Sequence, residues 1–169
     1  MSFLRIIIVA AVALAVITCA DAAELKVGDV FPDLTQFSLA GELPREHRGK
    51  VVLVDFWASW CAPCKSSFPA LNELSSKFAK RGFVVIGISV DESKAAMQQF
   101  LKSTPAQFSV LHDAQQKLVQ RLNVEAMPTS FLIDGTGRVR FIHSGFDGQK
   151  TRDAYAREIE NLLSAAAAK

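Results

Sequence analysis

The chain has 169 residues, 50% of them hydrophobic, enough for one domain with a sizeable buried core. Its 19 basic and 17 acidic residues leave a net charge of +2 with the two signs interspersed, so nothing in the balance indicates a nucleic-acid surface. His47, His112 and His143 stand far apart, and no second cysteine pair accompanies Cys61 and Cys64, which argues against a four-ligand zinc site.

The first stretch differs in kind from the rest. Met1 to Arg5 carries one cation, Ile6 to Ile17 is an unbroken apolar run, and Ala20-Asp21-Ala22 offers small residues for cleavage. That is the pattern of a secretory signal peptide over residues 1–22. The uncharged run from Ile6 to Ala20 is short for a bilayer span, yet left uncleaved it would serve as a tilted N-terminal anchor and the chain's membrane contact. Cys19 is an alternative lipid-attachment residue, although Val16-Ile17-Thr18 before it match a bacterial lipobox poorly. Residues 23–169 then form the mature domain, exported to an oxidising compartment with both of its cysteines in one motif. Cysteines so close in sequence close too short a loop to staple a fold of this size, which points to a chemical use for the pair.

From Ala23 to Arg48 chain breakers recur, and a short strand is expected at Phe37-Ser38-Leu39. Val51 to Ser59 is mainly apolar, with one charge at Asp55, the composition of a strand buried on both faces. Trp60-Cys61-Ala62-Pro63-Cys64-Lys65 follows and leads into a helix through about Lys80, with Phe68, Leu71, Leu74 and Phe78 at helical spacing and a kink expected at Pro69. Cys61 therefore lies where strand hands over to helix, beside unpaired amides whose partial positive charge favours a thiolate; it is the candidate nucleophile, exposed to solvent. Cys64, on the same helical face one turn deeper, is near enough to close a disulfide and is the candidate resolving thiol. Asp55 shares a strand face with Leu53 and Trp57, and burial there favours its protonated form.

Gly82 closes the helix, Phe83 to Val90 reads as a second buried strand, and another helix starts after Asp91-Glu92-Ser93 with Ala96, Met97 and Phe100 facing inward. An extended piece at Phe108 to Leu111 and a helix near Ala114 to Leu122 come next. The alternation implies a parallel sheet with right-handed crossovers. Val124 to Asp134, the turn Gly135-Thr136-Gly137 and Arg138 to Ile142 read as an antiparallel hairpin at the sheet edge. A last amphipathic helix is expected over about Lys150 to Leu163, with the tail from Ala165 to Ala168 fraying.

The segment Val54-Asp55-Phe56-Trp57-Ala58-Ser59-Trp60-Cys61-Ala62-Pro63-Cys64-Lys65 resembles the active site of the thioredoxin superfamily. Gly28-Asp29, Pro32 and Leu34 near the start, and the extra helix and strand after Val90, resemble the exported TlpA/ResA-like branch. The resemblance implies an α/β thioredoxin-like fold: a central mixed sheet with helices on both faces, an N-terminal extension that is often a hairpin, and a central helix-strand insertion. It implies a cis-proline at Pro128 facing the cysteine pair, substrate contacts from Trp60, Pro63, Met127 and Pro128, and Asp55 as the group that takes and gives the proton of Cys64. It also implies a thiol-disulfide oxidoreductase in the periplasm, anchored or free, acting on protein thiols and disulfides through a redox-active Cys61–Cys64 pair, with no dissociable cofactor or metal. A membrane electron donor of the DsbD/CcdA kind and a part in cytochrome c maturation or a related pathway belong to the same implication. Two positions depart from the branch: Ser67 occupies the place of a glutamate found in many members, and Asp55 supplies an acid that many ResA-like members lack.

Direction follows from the pair between the cysteines. Ala62-Pro63 contains no histidine, so nothing there adds positive charge to stabilise the Cys61 thiolate, and strong oxidants depend on such stabilisation of their reduced form. A reductant is expected. Among alternatives, a peroxiredoxin-like thiol peroxidase would need a lone peroxidatic cysteine, and a copper chaperone on this fold would add a histidine, His143, to the two thiolates. The intact pair argues against a non-catalytic binding module.

Overall fold

The computed structural model describes residues 24–168; the expected signal peptide at 1–22 and Cys19 lie outside the described residues. In chain order the elements are β1 (Val51–Trp57), α1 (Ala62–Phe78), β2 (Phe83–Ser89), α2 (Lys94–Ser103), β3 (Ser109–His112), α3 (Lys117–Arg121), β4 (Thr129–Ile133), β5 (Val139–Ser144) and α4 (Gly148–Ala167). Short 3-10 turns at Leu34–Gln36 and Ala79–Arg81 complete the set.

β1 is buried at every position because it has a neighbour on each edge and a layer on each face. β2 pairs with it in parallel from Val51 opposite Phe83 to Trp57 opposite Ser89, and β4 pairs antiparallel with Phe56 opposite Thr129 and Asp55 opposite Ser130. β3 extends the parallel half and β5 the antiparallel half, giving the order β3-β2-β1-β4-β5. The sheet is mixed, as expected. α2 and β3 are the helix-strand insertion. Their junction with α1 is made by the Asn72 side chain, which donates to the Pro105 carbonyl and accepts from the Gln107 amide.

Alternation along the strands divides the core. Val51, Leu53 and Val85 pack with Leu71, Leu74 and Phe78 of α1 and with Tyr155, Ile159 and Leu163 of α4. Val52, Val54 and Phe56 belong instead with Phe31 and Leu34 of the N-terminal segment and Leu118 and Val119 of α3. At the C-terminal end of β1, Trp57 packs on Phe68 of α1 and Phe100 of α2, with ring centroids 5.0 and 4.7 Å apart. Gly87 is required there: a Cβ on it would lie 2.8 Å from the Phe108 ring and 3.2 Å from Trp57 Nε1.

Four local expectations are corrected. Phe37-Ser38-Leu39 is not a strand, and the N-terminal extension is no hairpin; it meets the sheet through single bridges, Val30 with Arg138 and Ala40 with His112. The breakers that punctuate this segment prevent a continuous ladder. α3 has five residues, because Asp113 caps it late by accepting from the Leu118 and Val119 amides. α4 starts at Gly148 and runs through Ala167, since an alanine run favours helix and Leu163 anchors it in the core.

Candidate active site

β1 ends at Trp57, and the four residues after it turn the chain into α1. That turn is fixed by a buried carboxylate: Asp91, 3% exposed, accepts from the Ser59 amide at 3.1 and 3.0 Å, from the Ser59 hydroxyl at 2.6 Å and from the Ser89 hydroxyl at 2.9 Å. His112 Nε2 lies 2.6 Å from the Asp91 carbonyl oxygen, an acceptor, so this nitrogen carries the proton. Cys61 is the N-cap of α1, and its sulfur accepts from the Cys64 amide at 3.1 Å. Pro63 falls in the first turn, where its missing amide hydrogen costs nothing.

Cys61 and Cys64 form a disulfide with Cα atoms 5.3 Å apart. Cys64 is fully buried and Cys61 is 5% exposed, so the expected solvent-exposed Cys61 is corrected for the oxidised pair: the N-cap turn holds its sulfur against the Cys64 amide of α1. Trp60 beside it is 72% exposed. A groove of about 490 Å³ runs from Trp60 and Cys61 past Lys65 to Gln99, Phe100 and Ser103 of α2. A separate cavity of about 400 Å³, floored by Val52, Val54 and Ile133, opens toward the other end of β1 and contains neither cysteine.

Met127–Pro128 is a cis peptide bond and leads into β4. β4 starts opposite the last residues of β1, so Pro128, buried, and Met127, half-buried, leave the sheet at the end where Cys61 leaves it. The predicted residues Trp60, Cys61, Pro63, Cys64, Met127 and Pro128 thus gather at one end of the sheet.

Asp55 is 1% exposed and lies one layer further in, on the face of Leu53 that α1 and α4 cover. Its Oδ1 accepts from the Ser130 hydroxyl at 2.5 Å, and Ser130 Oγ lies 2.7 Å from the Tyr155 hydroxyl. Asp55 Oδ2 is buried without a hydrogen-bond partner. Burial pushes the Asp55 carboxyl up to about 7, against the Ser130 hydrogen bond, which holds it down. Burial and the neighbouring Asp55 charge raise the Tyr155 phenol well above its ordinary range. Ser67 is buried and donates to the Cys64 carbonyl at 2.9 Å, so the position of the branch's glutamate holds a neutral side chain bonded within its own helix.

Sequence reasoning missed Ser130, Tyr155 and Asp91. Ser130 is one of two polar residues that open the otherwise apolar β4, and Tyr155 is the chain's one tyrosine; each was a visible signal without a visible partner. The histidines are engaged elsewhere: His47 Nδ1 lies 2.6 Å from the Pro44 carbonyl oxygen, and His143 pairs with Glu158 at 2.7 Å. Among the described residues no group of three histidine, cysteine or acidic side chains is placed to hold a metal ion.

A cysteine pair at a helix N-terminus, a cis-proline at the same sheet end and a buried acid beneath define a thioredoxin-fold thiol-disulfide oxidoreductase. The chain belongs to the Redoxin family, whose model matches residues 26–159. It is 32% identical over 140 residues to thiol-disulfide oxidoreductase ResA of Geobacillus kaustophilus, covering 82% of this chain and 79% of that protein. A Bacillus cereus ResA is 35% identical over 123 residues, 71% of this chain and 70% of the relative. Among solved structures, a Chlorobium tepidum protein assigned as thiol:disulfide interchange protein DsbE superposes with a TM-score of 0.76 at 37% identity, covering 83% of this chain and 99% of that one.

Proposed function

We propose that residues 1–22 direct export to the periplasm, by cleavage or as a retained anchor, and that residues 23–169 act there as a reductant of disulfides in other proteins. The observation that carries this reading is the Cys61–Cys64 disulfide at the start of α1, beside the Met127–Pro128 segment and above a buried acid. In the reduced protein the Cys61 thiolate attacks a substrate disulfide, forming a mixed disulfide and releasing one substrate thiolate. Cys64 then gives its proton to Asp55 and attacks Cys61, closing the Cys61–Cys64 disulfide and releasing the second substrate thiol, so two electrons pass to the substrate. Trp60, Pro63 and the Met127–Pro128 backbone supply the surface on which a substrate strand lies. A membrane dithiol donor of the DsbD/CcdA kind returns the electrons, and cysteine pairs of exported proteins, those of c-type apocytochromes included, are the substrates.

The test is equilibration with glutathione and dithiothreitol buffers at neutral pH, read by thiol labelling. A midpoint below about −200 mV is expected, in the reductant range; one near about −120 mV would make the protein an oxidant. A Cys64→Ser variant expressed in the native host leaves the mixed disulfide unresolved, and its captured proteins name the substrates.

A further inference from the structure

We propose that Ser130 and Tyr155 are positioning residues for Asp55, forming a one-way donor chain that occupies Oδ1 and leaves Oδ2 as the oxygen that takes and gives the proton. The inference rests on the reading of Asp55 as the proton carrier for Cys64.

Three groups from three elements meet in a line. Ser130 has one hydroxyl hydrogen, and the 2.5 Å contact with Asp55 Oδ1 uses it. The 2.7 Å contact between Ser130 and Tyr155 must then be made by the Tyr155 hydrogen, with Ser130 Oγ accepting. Tyr155 is 1% exposed, and its hydroxyl has no other hydrogen-bond partner among the described residues. While Asp55 is ionised the direction is fixed: Tyr155 donates to Ser130 and Ser130 donates to Asp55. A proton arriving at that carboxylate finds Oδ1 occupied by the Ser130 hydrogen and is taken by Oδ2, the buried oxygen without a partner.

The register places this arrangement. Antiparallel pairing puts Ser130 directly across from Asp55, and on its other side β5 puts His143 across from Ser130. The titratable groups that the structure ties to this site are Tyr155, bonded through Ser130, His143, across from Ser130, and Glu158, bonded to His143. On β2, Gly87 lies opposite Asp55 and contributes none. His143 bonds Glu158 and stands edge-on to the Tyr155 ring at 4.9 Å, a packing contact through the ring rather than a hydrogen bond to the phenol. The chain thus ends at Tyr155. It orients and polarises the carboxylate and does not conduct protons to the surface.

Two donors in series favour the ionised carboxylate, so removing them moves Asp55 toward its protonated form and raises the pH at which it accepts the Cys64 proton. The probe is Ellman's reagent with the reduced full-length protein: Cys61 releases one thionitrobenzoate on attack, and Cys64 releases the second on resolution. The rate of the second release is followed by stopped flow from about pH 5 to about pH 9. Ser130→Ala is expected to move the midpoint of that profile up by about one pH unit, and Tyr155→Phe by less in the same direction. Ser130→Thr, which keeps the hydroxyl, retains the wild-type midpoint. In an Asp55→Asn background Ser130→Ala produces no further change. Tyr155→Phe is nearly isosteric and carries the test if Ser130→Ala does not fold. Slow resolution in Asp55→Asn together with an unmoved midpoint in Tyr155→Phe and, where it folds, Ser130→Ala overturns this inference alone. Wild-type resolution in Asp55→Asn across the pH range overturns the proton-carrier reading beneath it.

Discussion

At Asp55 two effects act in opposite directions on one carboxyl group. Desolvation disfavours the charge and the Ser130 hydroxyl favours it; desolvation wins, leaving the group up to about 7. In an unfolded chain an aspartate titrates near about 3.9. Between about pH 4 and about pH 7 the folded protein therefore holds a proton that the unfolded chain has lost, and stability falls as pH rises through that window. Asp55→Asn abolishes the ionisation, so it is expected to stabilise the protein by roughly 2–4 kcal/mol at about pH 8 and by little near pH 4. Urea unfolding midpoints at the two pH values measure this, and a difference independent of pH would show that Asp55 does not titrate there. The sequence showed the lone acid in a buried strand and suggested its proton-carrier role by resemblance. It did not show Ser130 or Tyr155 as partners, because they come from a strand and a helix 75 and 100 positions away, and the β1–β4 register and the packing of α4 bring them together.

Among elements, those with a strong local signal were the legible ones. β1 and β2 are continuous apolar runs, α1 and α4 carry apolar residues at helical spacing, and the glycine turn before β5 announces a hairpin. Two pieces were misjudged: α3 is shortened by the Asp113 side chain, a local cap that periodicity does not reveal, and the N-terminal segment is shaped by the distant sheet face it covers. Gly87 is a case where the element depends on an absence. β2 could accept alanine there on backbone grounds, but the added methyl would press on the Phe108 ring from the insertion and on the buried indole of Trp57. Gly87→Ala is expected to cost about 1–3 kcal/mol and lower the melting temperature by several degrees. Calorimetry decides it; an unchanged transition would mean that the insertion yields freely at this contact.

For the whole molecule, the sheet order brings its chemical groups to one end by topology. Parallel β1 and β2 require α1 between them, and α1 begins where β1 ends; antiparallel β4 then starts beside that point with Pro128. The insertion adds a second wall through α2, joined to α1 by Asn72 and by the Phe68–Phe100 contact at 5.1 Å. The fold class was legible because each local choice agrees with this global arrangement. The two tryptophans divide between interior and surface: Trp57 is fully buried and Trp60 is 72% exposed next to the disulfide. The protein thereby carries an intrinsic optical pair, one indole dark to a soluble quencher and one open to it. Iodide or acrylamide should quench only the Trp60 share of the emission, and a substrate covering the Cys61 groove should remove that susceptibility while leaving the Trp57 share untouched. Docking can be followed by light alone, and an accessible fraction that stays constant in a trapped mixed disulfide would place the substrate on a face away from Trp60.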